Sequence, residues 1–239
     1  MYKGHAISLK KTRLLLDIDG TIRDESNPEV NSAFADFIYE IEQEHPGTFF
    51  FVTGRSLNEA RDLLILGNGK KLFDVISAVN GIFDYGKVLH VNGEVVDEEK
   101  LTETQIEDLL SSRDLSYAKL EVFLKKHKIE FITDAERSWI KIGKTFEEQY
   151  VFKGRYDRNN LASFGVHFRP FDIYPDTVRQ ELMALIAEFE KTLPASMMRL
   201  NSSSPLAEFS PRCYDKAKRT QYFLSHHAEG IEFIITAGD

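Results

Sequence analysis

Short unbroken apolar runs alternate with helical patterns over the first eighty residues of this chain, and a different rhythm follows. Residues 13–16 (RLLL) read as a buried strand that runs into two acids, Asp17 and Asp19, with Gly20 turning the chain away. Asn27 followed by Pro28 predicts a helix start, and Phe34, Phe37, Ile38 and Ile41 recur at helical spacing before Pro46 and Gly47 end it. The run TFFFVTGRS, residues 48–56, is continuous in the way a strand covered on both faces requires. Ser56 with Glu59 predicts a capping box for a helix through Leu66, closed by Gly67. Residues 73–81, FDVISAVNG, read as a third buried strand. The strand-helix-strand-helix-strand order predicts a parallel sheet with helices on both faces, because parallel neighbours need crossover connections.

From residue 88 the pattern changes. VLHVNGEVV, residues 88–96, holds two short β runs around Asn92-Gly93, a hairpin signal. Two helical stretches follow, 101–111 and 115–127, with strand candidates at 129–133, 138–142 and 164–168. A further helix carries Val178, Leu182, Leu185, Ile186 and Phe189 on one side. The first style returns with a helix at KRTQYFL and a buried strand at IEFIIT, residues 231–236. The middle block reads as a smaller α+β domain inserted into the first: residues 1–98 and 206–239 form the core, and 99–205 the insert.

Composition narrows the functions open to such a chain. At 239 residues and 42% hydrophobic, it can bury a sizeable core. Thirty-eight acidic residues against 30 basic, a formal charge of -8, speak against a general binder of nucleic acid or anionic membranes. The single Cys213 excludes an internal disulfide, and no stretch has the length of a signal-peptide core or a membrane span. A soluble protein of a reducing compartment, the cytoplasm, is the expectation.

The candidate chemistry lies where the apolar runs stop. Two residues apart on a strand, Asp17 and Asp19 project from one face, and like charges so close need a shared proton, a cation or a basic partner. In an open parallel sheet, ligands bind beyond the carboxyl ends of the strands. Three runs end there in polar residues: Asp17 and Asp19, then Thr53-Gly54-Arg55, then Gly238-Asp239. Lys216, at the start of a predicted helix, adds an ammonium. Hard oxygen ligands suit Mg2+, which keeps several waters and completes its shell with substrate phosphate. Such a set suits phosphoryl transfer, with one carboxylate able to attack phosphorus and the other to move a proton.

DIDGT at 17–21, the strand ending in Thr53-Gly54-Arg55, Lys216 and the final Gly238-Asp239 resemble the four ordered motifs of the haloacid dehalogenase superfamily. The insert's position after VISAVNG resembles the branch with a large α/β cap, which includes sucrose-, trehalose- and mannosylglycerate-phosphate phosphatases. The resemblance implies an α/β fold: a Rossmann-like parallel-sheet core with an inserted α+β cap. It implies Asp17 as nucleophile and metal ligand, Asp19 as acid/base with its main-chain carbonyl on the metal, Thr53, Gly54 and Lys216 on the phosphate, and Asp239 on the metal. Mg2+ is the implied cofactor and a small phosphorylated metabolite, a sugar phosphate foremost, the implied substrate. Two positions depart from the pattern. Ala217 stands where the branch commonly has glycine, and the chain stops at Asp239 where the family adds a second acid, a helix and usually a strand. The expectation is a shortened version of a longer protein or a naturally minimal member. Two other functions stay open: a phosphoprotein phosphatase of the same chemistry, and a protein that binds a phospho-ligand without turnover. In the insert, Arg137, Trp139, Arg155, Arg158, His167 and Arg169 are candidates for reading a polar leaving group.

Overall fold

Hydrophobic runs and capping residues set the first four elements of the chain. The computed structural model describes residues 8–19, 21–23, 27–142, 150–154, 163–167, 174–200 and 206–238. β1 (Thr12–Leu16) is followed by α1 (Pro28–Glu44), which Asn27 caps by accepting from the Val30 N–H, with Pro28 pre-set for the first turn. β2 (Phe49–Val52) begins where buried Glu42 of α1 accepts from the N–H groups of Gly47 and Phe49, at 2.7 and 2.8 Å. α2 (Leu57–Leu63) opens on the expected capping box, Ser56 with Glu59.

The third strand is a correction. Residues 72–74 form one 3-10 turn, and β3 (Gly81–Phe83) begins only at the end of the run read as a strand. Leu72, Phe73 and Ile76 bury their side chains in the core with Ile38, Ala60 and Leu64 instead of joining the sheet. Pairing starts at Asn80, whose carbonyl accepts from Phe51 N–H, and Gly81 follows because any Cβ there would stand 2.5 Å from the Phe51 carbonyl oxygen.

β4 (Val88–Val91) and β5 (Glu94–Glu98) form the expected hairpin, with Asn92 and Gly93 at φ 54° and 80°. They extend the first sheet rather than leaving it. The chain then runs through α3 (Glu103–Lys126), β6 (Phe131–Thr133), β7 (Trp139–Ile142), β8 (Tyr150–Gly154), β9 (Phe164–His167), α4 (Asp176–Lys191), β10 (Met197–Arg199) and β11 (Leu206–Pro211). α5 (Lys216–His226) and β12 (Phe233–Ala237) close it.

Two units result: Met1–Lys100 with Tyr214–Asp239, and Leu101–Cys213. The first holds a mixed sheet in the order β12-β1-β2-β3-β4-β5, parallel across its first four strands and antiparallel beyond. One face buries Leu16, Phe49 and Phe51 with Ile38 of α1 and Ala60 of α2. The opposite face buries Leu15, Phe50 and Ile82 with Phe223 of α5, whose ring stacks on Phe50 at 4.0 Å. That is the α/β arrangement expected, with helices on both sides.

The second unit has a six-stranded antiparallel sheet, β10-β11-β9-β8-β7-β6, which shares one apolar core with α3 and α4. Three points differ from expectation here. The two helices expected between 101 and 127 are one, because Leu109, Ser112, Arg113, Ser116, Tyr117 and Leu120 keep one buried stripe through the polar SSRD. β8, β10 and β11 are strands that the pattern did not announce. β11 pairs with β9, so the chain returns to the first unit at Tyr214 rather than at 206. No helix among the described residues is long and apolar enough to cross a membrane.

Candidate active site

Strand register brings Asp17, Thr53 and Gly238 to the same end of the parallel strands of the first sheet. Leu16 lies opposite both Ala237 and Phe51, and Val52 lies opposite Ile82, so β12, β1, β2 and β3 end at the same level. Asp17 is the first residue beyond β1, its N–H donating to the Ala237 carbonyl at 3.0 Å. Its Oδ1 accepts from the Ile18 N–H at 2.8 Å, and the residue is half-buried. Gly238 lies beside it, for a Cβ built there would stand 3.4 Å from the Asp17 Cβ. Asp239 lies outside the described residues, as does Gly20.

Asp19 is held by arginines. Arg55 Nε donates to Oδ2 at 2.6 Å and Nη2 to Oδ1 at 2.8 Å, a fork on both oxygens, and Arg23 Nη1 reaches Oδ1 at 3.4 Å. Burial pushes the Asp19 carboxyl upward, but the hydrogen bonds and charge of Arg55, with Arg23 behind them, outweigh it and hold it below the usual range. The same hydrogen bonds raise the guanidinium of Arg55. The cationic partner required by the acid pair is thus in part the arginine of Thr53-Gly54-Arg55. Arg55 is a site residue beyond those expected, and its signal in the sequence is a fork-shaped cation two residues after Thr53.

Thr53 is fully buried, and its Oγ1 accepts from the Arg55 N–H at 3.2 Å. A hydroxyl that accepts can still donate. Gly54 has no room for a side chain: a Cβ would stand 2.5, 2.8 and 2.9 Å from Cε1, Cζ and Cδ1 of Tyr85, so that ring rests on the glycine. Tyr85 belongs to the turn after β3, where Asp84 and Tyr85 both adopt left-handed backbone, φ 52° and 60°. Each such non-glycine residue costs on the order of 1 kcal/mol. The Asp84 N–H anchors the turn to the Arg55 carbonyl at 2.8 Å. Nothing in the sequence marked Tyr85, because a left-handed non-glycine residue has no local signature.

Gly86 ties this turn to Lys216. At φ 104° it lies so close to α5 that a Cβ would be 2.7–2.8 Å from backbone atoms of Asp215 and Lys216. Lys216 is the first residue of α5, which Asp215 caps by accepting from Lys218 N–H at 3.1 Å. Arg219, one turn on, is buried and donates to the Gly86 carbonyl at 3.0 Å while pairing with Asp97 and Glu99. Its contacts brace the helix against the hairpin.

Asp17 and the Asp19 carbonyl offer hard oxygen donors, a chemistry that fits Mg2+. Among the described residues, no group of three His, Cys, Asp or Glu stands together as a metal site. In the second unit the Arg137 guanidinium lies over the Tyr117 ring at 5.9 Å, and the Lys141 ammonium over Trp139 at 5.0 Å. Arg155, Arg158 and Arg169 lie outside the described residues.

The family model for haloacid dehalogenase-like hydrolases matches residues 14–239. No curated protein matches the chain by sequence. Among solved structures, a trehalose-6-phosphate phosphatase related protein is similar at 16% identity and a TM-score of 0.51, over 95% of this chain and 78% of that one. A haloacid dehalogenase-like hydrolase from Bacteroides thetaiotaomicron is similar at 15% identity and a TM-score of 0.52, over 95% and 81%. A member of a phosphoryl-transfer superfamily whose structures show conservation of a trigonal-bipyramidal intermediate is similar at 14% identity and 0.51, over 95% and 79%. At these identities the likeness is one of fold.

Proposed function

The chain belongs to the haloacid dehalogenase-like hydrolases, and from that premise we propose that it is a Mg2+-dependent phosphatase that cleaves the phosphomonoester of a small metabolite, a sugar phosphate foremost, through an aspartyl-phosphate. The observation that carries the reading is the Arg55–Asp19 fork, which joins the two loops that follow β1 and β2 into one polar edge beside Asp17.

In this reading Asp17 attacks phosphorus, a bond from its carboxylate oxygen forms as the ester P–O bond breaks, and the departing oxygen takes a proton from Asp19. Water then attacks the aspartyl-phosphate and gives its proton to Asp19, which restores Asp17 and releases phosphate. Thr53, the Gly54 backbone and Lys216 hold the phosphoryl oxygens, where positioning and positive charge are the main levers. Asp17, the Asp19 carbonyl and Asp239 would hold Mg2+, which when bound offsets the repulsion between carboxylate and phosphate. Arg55 sets a condition on the cycle. Arg55 orients Asp19 and favours its ionised form, so Asp19 must take up a proton before it can protonate the leaving group.

The substrate class draws support from the resemblance of the motifs and from the fold likeness to a trehalose-6-phosphate phosphatase related protein. The test is phosphate release from an aryl phosphate, with Mg2+ or EDTA, beside Asp17→Asn. Release that needs both Mg2+ and Asp17 supports the reading. A folded chain that binds phosphate but releases none from any ester would instead mark a binding protein.

A further inference from the structure

Two turns join antiparallel strands in the first sheet, and they are built differently. Between β4 and β5 the left-handed positions fall to Asn92 and Gly93, residues that adopt them with little strain. Between β3 and β4 they fall to Asp84, Tyr85 and Gly86. A tyrosine at such a position carries a steric cost that glycine or asparagine would avoid. What the strained backbone achieves is the position of the ring: against Gly54, on a turn whose next residue backs onto Asp215 and Lys216. Both sides of the turn are fastened, by Asp84 N–H to the Arg55 carbonyl and by Arg219 Nε to the Gly86 carbonyl. Tyr85 is half-buried, so part of the residue remains open to solvent.

We propose that Tyr85 is a specificity-determining residue: its ring is the surface on which the carbon skeleton of the substrate packs while its phosphate lies on Thr53, Gly54 and Lys216. The inference rests on the phosphoester reading of this site. The group esterified to a phosphate is one bond away from it, so a wall one residue from the phosphate loop meets the first atoms of the leaving group. An aromatic face favours a flat or cyclic skeleton with C–H groups to present, and the phenol adds a polar rim. Gly54 is part of the same device, since any side chain there would lift the ring away. Rigid anchoring of the turn means the surface is formed before substrate arrives, which lowers the cost of binding.

The experiment compares methylphosphonate with phenylphosphonate, which share a phosphate-like head and resist hydrolysis, by calorimetry with Mg2+ present. Wild type is expected to bind the phenyl compound about tenfold more tightly. Tyr85→Ala should abolish that preference, the phenyl compound losing far more affinity than methylphosphonate, whereas Tyr85→Phe should keep it. Tyr85→Leu, which restores bulk without a flat face, should keep less than half of the gain and guards against a cavity effect. Equal weakening of both ligands in Tyr85→Ala, or an unchanged ratio, would overturn the inference while leaving the phosphate site standing. If neither phosphonate binds wild type, the phosphate reading itself falls and takes the inference with it.

Discussion

Arg55 holds Asp19 by both oxygens, at 2.6 and 2.8 Å, across the gap between the ends of β2 and β1. The two aspartates of DIDG meet different groups: Asp17 accepts from the Ile18 N–H, and Asp19 is held by a guanidinium fork. Arg55→Lys should expose the difference. A lysine keeps the charge and loses the fork, so Asp19 is no longer fixed in direction. Phosphate release should fall by about 10- to 100-fold, mainly in kcat, up to the lower end of what losing positioned proton transfer altogether costs. Unchanged kcat would show that the fork has no part in turnover.

Gly54→Ala places a methyl group 2.5 Å from the Tyr85 ring, and one of the two must move. Destabilisation of about 1–3 kcal/mol is expected for the single variant. Combined with Tyr85→Ala, the clash disappears, so the double variant should be more stable than the sum of the singles predicts, by a coupling of about 1 kcal/mol or more. Urea unfolding of the four proteins measures it, and strict additivity would mean that ring and glycine are not in contact.

Gly86→Ala tests the link between the turn and α5. The substitution meets both a left-handed backbone, φ 104°, and main-chain atoms of Asp215 and Lys216 at 2.7–2.8 Å, which cannot rotate aside as a side chain would. A loss of about 2 kcal/mol or more, visible as a lower Tm, is expected, together with weaker inorganic phosphate binding through the displaced Lys216. A variant as stable as wild type would contradict the contact.

His90 supplies an acid-sensitive element in β4. Burial lowers its pKa below the ordinary value near 6.5, against a smaller upward pull from Asp84, and its Nδ1 has no hydrogen-bond partner among the described residues. In the unfolded chain the imidazole takes up a proton near pH 6.5, whereas in the fold it stays neutral to lower pH. Its contribution to stability is therefore full above that pH and is lost as the pH falls through the folded value. His90→Phe keeps an aromatic edge against the Phe83 ring, now 5.4 Å from the imidazole, and removes the titration. Its stability should decline less between pH 7.5 and 5.5, the slope differing by up to about 1.4 kcal/mol per pH unit. Parallel slopes would place the acid sensitivity elsewhere.

Elements specified by neighbours in sequence were legible as such. β1, α1, β2 and α2 each carry an apolar run or stripe bounded by a cap or a turn, so Asn27-Pro28 and Ser56 with Glu59 marked their helices before any fold was known. The hairpin at Asn92-Gly93 was equally local, because its residue types adopt positive φ readily. The order of the motif residues, together with the rule that strand ends collect ligands, placed Asp17, Asp19, Thr53 and Gly54 at one edge. Decisions that depended on distant partners were not legible. Phe73 and Ile76 look like strand residues until Ile38 and Ala60 bury them, and the SSRD of α3 looks like a break until the second sheet covers its stripe. The grip of Arg55 on Asp19 spans 36 positions, and the rest of Tyr85 on Gly54 depends on a strained turn that no propensity favours. Local sequence chooses elements through backbone sterics and periodic burial, whereas pairing of charges and stacking on a glycine exist only once the strands that carry them lie side by side.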